Sequence, residues 1–196
     1  VTFDTPLGPL EAVRGVDLDV HEGEMMGVVG ESGSGKSVTF LAAMGLLPHR
    51  AKVTGSVMLN GQEMIGASNK VLRIMRGGSM SMIFQDPLSA LNPYYTVGKQ
   101  IAEAYLVHHP QASKIDARAV TLEMLKKVGI PNPDKRIDEF PHQFSGGMRQ
   151  RIVIAIALIN NPKVLIADEP TTALDVTVQA QILDLMKDLQ TEFNMT

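Results

Sequence analysis

The segment Gly30-Glu31-Ser32-Gly33-Ser34-Gly35-Lys36-Ser37 has the spacing G-x-x-x-x-G-K-[ST]. The chemistry that spacing suits is the holding of a nucleoside triphosphate. Its glycines let the backbone curl so that N–H groups point inward at phosphate oxygens. The start of a following helix adds its positive dipole end. Lys36 supplies a point charge for the β- and γ-phosphates, and Ser37 a hydroxyl for Mg²⁺. The context is the required one, with an apolar run at 25–29 before the loop and a helical stretch at 34–47 after it. The motif specifies triphosphate binding without specifying what the binding is for.

A second group is Asp168-Glu169, which follows the apolar run Val164-Leu165-Ile166-Ala167. Carboxylates at the C-terminal end of a buried parallel strand stand where open α/β sheets bind ligands. Asp168 suits Mg²⁺, through water. Glu169 suits the orientation and deprotonation of an attacking water. A solvated strand end would look the same in isolation, and the phosphate loop is what tells against it.

The third group is Phe144-Ser145-Gly146-Gly147-Met148-Arg149-Gln150-Arg151. Ser145 has the chemistry of an N-cap, and the glycines permit close approach to the helix start, which makes a second anion-holding end. A single nucleotide cannot easily use both ends within one chain. The economical arrangement is a head-to-tail dimer, with Ser145 and Gly147 of one chain closing on the γ-phosphate held by the other. They would then stabilise transition-state charge in place of an arginine finger. An ordinary capped helix is the competing interpretation.

The elements that must position these groups follow from hydrophobic period. Residues 16–20 alternate apolar and charged, which predicts a half-exposed antiparallel strand. The continuous apolar run at 25–29 predicts a buried parallel strand. Short strands are expected at 56–59, before an Asn60-Gly61 turn, and at 80–84. From about residue 86 to 144 the chain is proline-rich, with helical patches at 97–107 and 116–128. This predicts a helical subdomain inserted between core strands. A helix apolar nearly all round is expected at 148–159, a buried strand at 164–167, and an amphipathic helix through Val178, Ile182, Leu185 and Leu189. The alternation gives an α/β fold with a mostly parallel sheet.

Bulk composition bounds the rest. The chain has 196 residues, 44% of them apolar, a net charge of -3 and no cysteine. One globular domain is expected, and disulfides and thiolate metal sites are excluded. No basic face is evident, so nucleic acid is not an expected partner. The start lacks a basic-then-apolar stretch, so no signal peptide is expected, and the longest apolar run, 152–159, is too short to span a bilayer. Any membrane role must come through a partner. His142 is expected to be a loop histidine, His108-His109 lacks further metal ligands, and the methionines suit core filling.

The order of phosphate loop, Gln85, Ser-Gly-Gly segment, Asp168-Glu169 and Ala173-Leu174-Asp175 resembles that of ABC transporter ATPases. The strings Phe84-Gln85-Asp86-Pro87-Leu88-Ser89-Ala90-Leu91-Asn92-Pro93 and Ala167-Asp168-Glu169-Pro170-Thr171-Thr172-Ala173-Leu174-Asp175 are more narrowly similar to ATP-binding subunits of oligopeptide and dipeptide importers. The resemblance covers essentially the whole chain. It implies a P-loop ATPase of the ABC type with N-terminal antiparallel strands, an ATPase core at 1–85 and 150–196, and a helical subdomain at 86–149.

The roles the resemblance implies are these. Catalysis would rest on Glu169, Gln85 and Lys36. ATP would be held by Phe3, stacking on adenine, and by Gly30, Glu31, Ser32, Gly33, Ser34, Gly35, Lys36, Ser37 and Val38. Phe3 also suits a core position. Mg²⁺ would be held by Ser37, Gln85 and Asp168. Ser145, Gly146, Gly147 and Met148 would act across a dimer of ATPase subunits, either two copies or two related chains. Asp175 would couple the two sites, and it also suits an N-cap. The resemblance further implies transmembrane permease partners, an extracytoplasmic solute-binding protein acting indirectly, and a peripheral place on the cytoplasmic face of the membrane. The cargo would be peptide, with nickel and other small solutes carried by close relatives. Met148 stands where many ABC ATPases have glutamine. The family's switch histidine is expected on a strand past the last helix, and no histidine follows Glu169. The sequence therefore reads as a fragment of a longer chain.

Overall fold

A computed structural model of the chain describes residues 1–85, 90–172 and 174–196. Residues 86–89 of the glutamine-bearing string, and residue 173 of the Ala-Leu-Asp string, lie outside the described residues. Close contacts group the chain into two units, Val1–Arg76 and Gly77–Thr196.

In the first unit, strand β1 (Thr2–Thr5) pairs antiparallel with β2 (Gly8–Glu11) and, on its other edge, with β3 (Ala51–Lys52). Phe3 stands opposite Leu10 and Ala51. Helix α1 (Lys36–Ala43) is shorter than the 34–47 expected. Gly35, at φ 96°, cannot continue a right-handed helix and so begins it. Gly45 ends it: its N–H donates to the Ala42 carbonyl and that of Leu46 to the Leu41 carbonyl, at 2.9 and 2.8 Å. This is a Schellman closure, which a glycine at φ 64° permits. Strands β4 (Met58–Leu59) and β5 (Gln62–Glu63) meet across Asn60-Gly61, both left-handed as a tight hairpin turn requires. Helix α2 (Asn69–Met75) is capped by the Ser68 hydroxyl.

Two expected strands are not formed. Residues 16–20 and 25–29 carry no strand pairing, and Val16, Leu18, Val20, Met25 and Val28 are exposed, with Val29 at 93%. An apolar run becomes a buried strand only where neighbouring strands satisfy its backbone. The antiparallel sheet of this unit is built instead by β1, β2 and β3, which leaves this run without a pairing partner in its own unit.

The β4–β5 hairpin carries an ionic clasp. The Glu63 carboxylate accepts from the Ser56 hydroxyl, from the Val57 N–H at 2.9 Å and from the Ile65 N–H at 2.8 Å. These bonds, the Ser56 hydroxyl first, outweigh desolvation and lower the Glu63 pKa from 4.5 to about 2. A group whose folded pKa is depressed adds stability above its unfolded value and loses it as pH falls through the folded one. Side-chain NMR titration should find Glu63 still ionised between pH 4.5 and about 2, with the hairpin loosening across that window. Glu63→Gln should abolish the acid-dependent part. A Glu63 midpoint near 4.5 would refute the clasp.

In the second unit, β6 (Met80–Ile83) and β7 (Val164–Ala167) form a parallel pair with Met80 beside Val164 and Ile83 beside Ala167. On the other edge of β7, Thr196 donates to the Lys163 carbonyl at 2.9 Å and accepts from the Leu165 N–H at 2.8 Å. Around the pair stand α3 (Val97–His108), α4 (Lys114–Lys127), the short α5 (Pro133–Arg136), α6 (Gly146–Leu158) and α7 (Val176–Phe193). Helix α4 opens on a reciprocal capping box between Ser113 and Asp116. It closes on Gly129 and Ile130, which donate to the Lys126 and Leu125 carbonyls. Arg151 donates to the Val128 carbonyl at 2.7 Å, which places a cation at that helix end. The core of this unit runs through Ile83, Ile101, Leu125, Ile152, Leu158 and Ile182. Helix α6 is buried along most of its length, as its all-round apolar sequence requires.

Candidate functional site: a phosphate loop, a strand-end carboxylate and a glycine-led helix start

The phosphate loop belongs to the first unit. Gly33 and Gly35 take φ 80° and 96°, and a Cβ on Gly35 would stand 2.8 Å from the Ala12 carbonyl oxygen. Only glycine fits there, because the obstacle is backbone and cannot step aside. The Ser34 N–H donates to the Glu31 carbonyl at 3.2 Å, which folds the loop on itself. Lys36 turns back over the loop. Its Nζ donates to the carbonyls of Gly30 and Glu31, at 2.7 and 2.9 Å. The ammonium therefore lies against the loop's own backbone, and the helix start follows directly behind it. Ser37 and Val38 lie in the first turn of α1.

A cavity of about 670 Å³ adjoins the loop, lined among others by Val13, Val28, Gly33, Gly35, Lys36 and Phe40. This volume is within the usual range for a small-molecule cleft, and its lining joins apolar walls to a cation and a glycine turn. Phe3 sits in β1, half-buried, and is not among the lining residues.

The carboxylates belong to the second unit. Asp168 continues the strand pairing, its N–H donating to the Ile83 carbonyl at 2.9 Å. Glu169 then breaks from the strand at φ 48°. A left-handed glutamate costs about 1–3 kcal/mol and persists only where surroundings hold it. The hold is visible. Oε2 of Glu169 accepts from Gln85 Nε2 at 2.8 Å and from the Thr172 hydroxyl at 2.9 Å. The Thr172 N–H also donates to the Glu169 carbonyl at 3.2 Å. Gln85 and Glu169, 84 positions apart in sequence, thus meet at neighbouring ends of β6 and β7. Both side chains are exposed, so the carboxylate is open to water.

The Ser-Gly-Gly segment begins α6 in the same unit. The Ser145 hydroxyl accepts from the Met148 N–H at 3.4 Å, so it is an N-cap, and the residue is exposed. A Cβ on Gly147 would lie 2.7 Å from Val178 Cγ1, and one on Gly146 would lie 3.6 Å from Leu174 Cδ2. The glycines therefore let α6 press against the start of α7. Arg136 donates to the Met148 sulfur at 3.7 Å and leans over the Phe144 ring, which adds a cation beside the helix start. Asp175 caps α7, accepting from the Val178 N–H at 3.0 Å, as its N-cap alternative required. His142 is exposed and stacks beside Phe140.

Thr172, Gln179 and Arg136 have no role that the sequence alone assigns. Thr172 could have been found from its place three residues after the carboxylate, where a hydroxyl can fold back on it. Gln179 Nε2 donates to the Thr171 and Leu174 carbonyls, at 3.0 and 3.1 Å, and so braces the loop that follows Glu169. No local signal marks that role.

Oxygen donors from Ser37, Gln85 and Asp168 are of the hard type that Mg²⁺ prefers. Among the described residues no cluster of three or more His, Cys, Asp or Glu is placed to cage a metal. No described helix is long and apolar enough to cross a membrane.

A family model described as ABC transporter matches residues 13–172. This chain belongs to the ABC transporter family. Its fold is that of the ATP-binding cassette. It superposes with a TM-score of 0.85, at 29% identity, on the dimeric cassette MJ0796 in a post-hydrolysis state bound to ADP and Pi, covering 100% of this chain and 82% of that one. More particularly, it is 57% identical over 192 residues to the dipeptide transport ATP-binding protein DppD of Bacillus subtilis (strain 168), covering 97% of this chain and 57% of the relative. It is 50% identical over 194 residues to the oligopeptide transport ATP-binding protein OppD of Salmonella typhimurium (strain LT2), covering 99% of this chain and 58% of the relative. The chain thus spans less than two thirds of the length of these curated relatives.

Proposed function

We propose that the chain is the ATP-binding and ATP-hydrolysing part of a peptide importer, driving uptake of dipeptides or oligopeptides through partner permease subunits. The observation that carries the hydrolytic reading is the Glu169 carboxylate, held by Gln85 and Thr172 at an exposed strand end beside Asp168. The cargo class rests on the names of the relatives, which are peptide-transport ATP-binding proteins.

In this reading the phosphate loop takes the triphosphate, with Lys36 leaving the Gly30 and Glu31 carbonyls for the β- and γ-phosphates. Phosphate oxygens are the stronger acceptors because they are ionised. Mg²⁺, held by Ser37, Gln85 and Asp168, would neutralise phosphate charge when bound. Glu169 accepts a proton from the attacking water, and Gln85 and Thr172 fix which oxygen of the carboxylate faces it. The Ser145 cap and the N–H groups that Gly146 and Gly147 leave accessible close on the γ-phosphate of a second ATPase chain. Phe3 meets the adenine ring, Asp175 lies at the seam between chains, and residues 86–149 form the helical insert of an ATPase core at 1–85 and 150–196. The dimer sits peripherally on the membrane through its permease partners.

Light scattering tests the sandwich. Glu169→Gln should be dimeric with Mg-ATP and monomeric with ADP, and Ser145→Arg in that background should stay monomeric with both. A dimer that survives Ser145→Arg would remove the Ser-Gly-Gly segment from the γ-phosphate.

A further inference from the structure

The start of α6 is weakly determined by its own residues. Gly146 and Gly147 open it, and glycine orders a helix less readily than any residue but proline. The cap that closes this turn is long, with the Ser145 hydroxyl 3.4 Å from the Met148 nitrogen. Yet the donors of this turn are those that the proposed function gives to a γ-phosphate. Donors stabilise developing charge only when they are already in place. One side chain touches both flanks of the turn. The half-buried Arg136 guanidinium stands 5.4 Å from the Phe144 ring centre, and its Nη1 donates to the Met148 sulfur at 3.7 Å. Phe144 immediately precedes Ser145-Gly146-Gly147, and Met148 immediately follows them. Phe144 is buried in the core, so its ring is a fixed platform of the kind a planar guanidinium stacks on.

Arg136 is itself fixed by the residues that follow it. Ile137 is buried, and its carbonyl accepts from the Gly98 N–H at 2.9 Å. A Cβ on Gly98 would stand 2.5 Å from that carbonyl oxygen, so the start of α3 lies directly against residue 137. The Glu139 carbonyl accepts from the Val97 N–H, also at 2.9 Å. Glu139 Oε2 lies 3.9 Å from Arg136 Nη1, near enough to balance its charge and too far for a hydrogen bond. The guanidinium is thus anchored at its backbone and spent on the two flanks of the glycine turn. We propose that Arg136 is a positioning residue for hydrolysis, holding the Ser-Gly-Gly turn in the shape that receives the γ-phosphate of a second chain. The proposal rests on the reading above and adds to it a residue that acts on phosphate only through Phe144 and Met148.

Arg136→Leu keeps bulk and removes both contacts. In the intact protein, at saturating Mg-ATP and well below the melting temperature, its turnover should fall about five- to tenfold, the worth of one partly buried cation–π contact and a weak hydrogen bond. ATP affinity, titrated separately, should stay at the wild-type value, because other residues build the phosphate loop. Arg136→Lys keeps the charge but has no plane to lay on the Phe144 ring, and should recover little of the loss. Met148→Leu removes only the sulfur acceptor and should slow turnover less than Arg136→Leu does. The double variant Arg136→Leu/Met148→Leu should be no slower than Arg136→Leu alone, since both changes remove the same contact. A merely structural arginine would lower the melting temperature and leave the turnover of the folded protein unchanged. Wild-type turnover in Arg136→Leu or in Arg136→Lys, or losses that multiply in the double variant, would overturn the proposal. The proposed function would still stand if Ser145→Arg keeps the Glu169→Gln protein monomeric. A dimer that survives Ser145→Arg would instead overturn the role of the turn, and this proposal with it.

Discussion

Glu169→Gln should abolish phosphate release, lowering turnover by about 10²–10⁴-fold, while ATP affinity stays at the wild-type value. The substitution is nearly isosteric, and the local geometry can survive it. The amide oxygen still accepts from Gln85 and Thr172, which both meet a single carboxylate oxygen in the wild type. The left-handed backbone at φ 48° is no harder for glutamine than for glutamate. What disappears is the basic oxygen that, in the proposed reading, takes the proton from water. A control is Glu169→Gly, which relieves the backbone strain but also removes the base. It should melt no lower than Glu169→Gln and be equally inactive. Phosphate release and nucleotide titration, made on the same preparation, check the prediction. Turnover in Glu169→Gln within a few-fold of wild type would reject this carboxylate as the base.

The residues on which that prediction rests were legible in the sequence because their information is local. The run Val164-Leu165-Ile166-Ala167 forms β7 with the bounds its composition predicts, and Asp168-Glu169 stand at its end. Helices α3, α4, α6 and α7 follow from caps and apolar period, with ends within a few residues of expectation. Pro48 predicts too late an end for helix α1, because Gly45 already closes it three residues earlier. The strands at 16–20 and 25–29 failed for a different reason. A helix satisfies its backbone within itself, but a strand depends on a partner remote in sequence, and the alternation or apolarity of one segment cannot name that partner. Instead Ala51–Lys52, which carries no strand pattern, pairs with β1.

The candidate site divides along the same line. The phosphate-loop glycines and the Ser145 cap follow from spacing and turn chemistry. A role for Gln85 comes from resemblance alone, and its bond to Glu169 is visible only once β6 and β7 lie parallel and in register. Gln150 and Gln179 could not be told apart by type, since each is a glutamine on a helix. One is paired and one is buried unpaired, and that distinction exists only in the packed chain.

Lys36→Ala should weaken ATP binding about 10–100-fold, the equivalent of about 1.5–3 kcal/mol for a hydrogen bond to a charged group. The loss should be graded by ligand. The ammonium springs from the first residue of α1 and lies back over the loop, against the Gly30 and Glu31 carbonyls. In the proposed reading it leaves them for the β- and γ-phosphates, so ATP should suffer most, ADP less and AMP least. Lys36→Arg keeps the charge but should not restore affinity. A planar guanidinium fork cannot settle over a loop that receives a compact ammonium on adjacent carbonyls. The unliganded fold should hardly notice either change, because the bonds Lys36 makes are exposed and water replaces them. Calorimetric titration with the three nucleotides, beside melting curves without them, separates binding from folding. If AMP lost as much affinity as ATP, Lys36 would be acting through the shape of the loop, and the phosphate charge would not be what it reads.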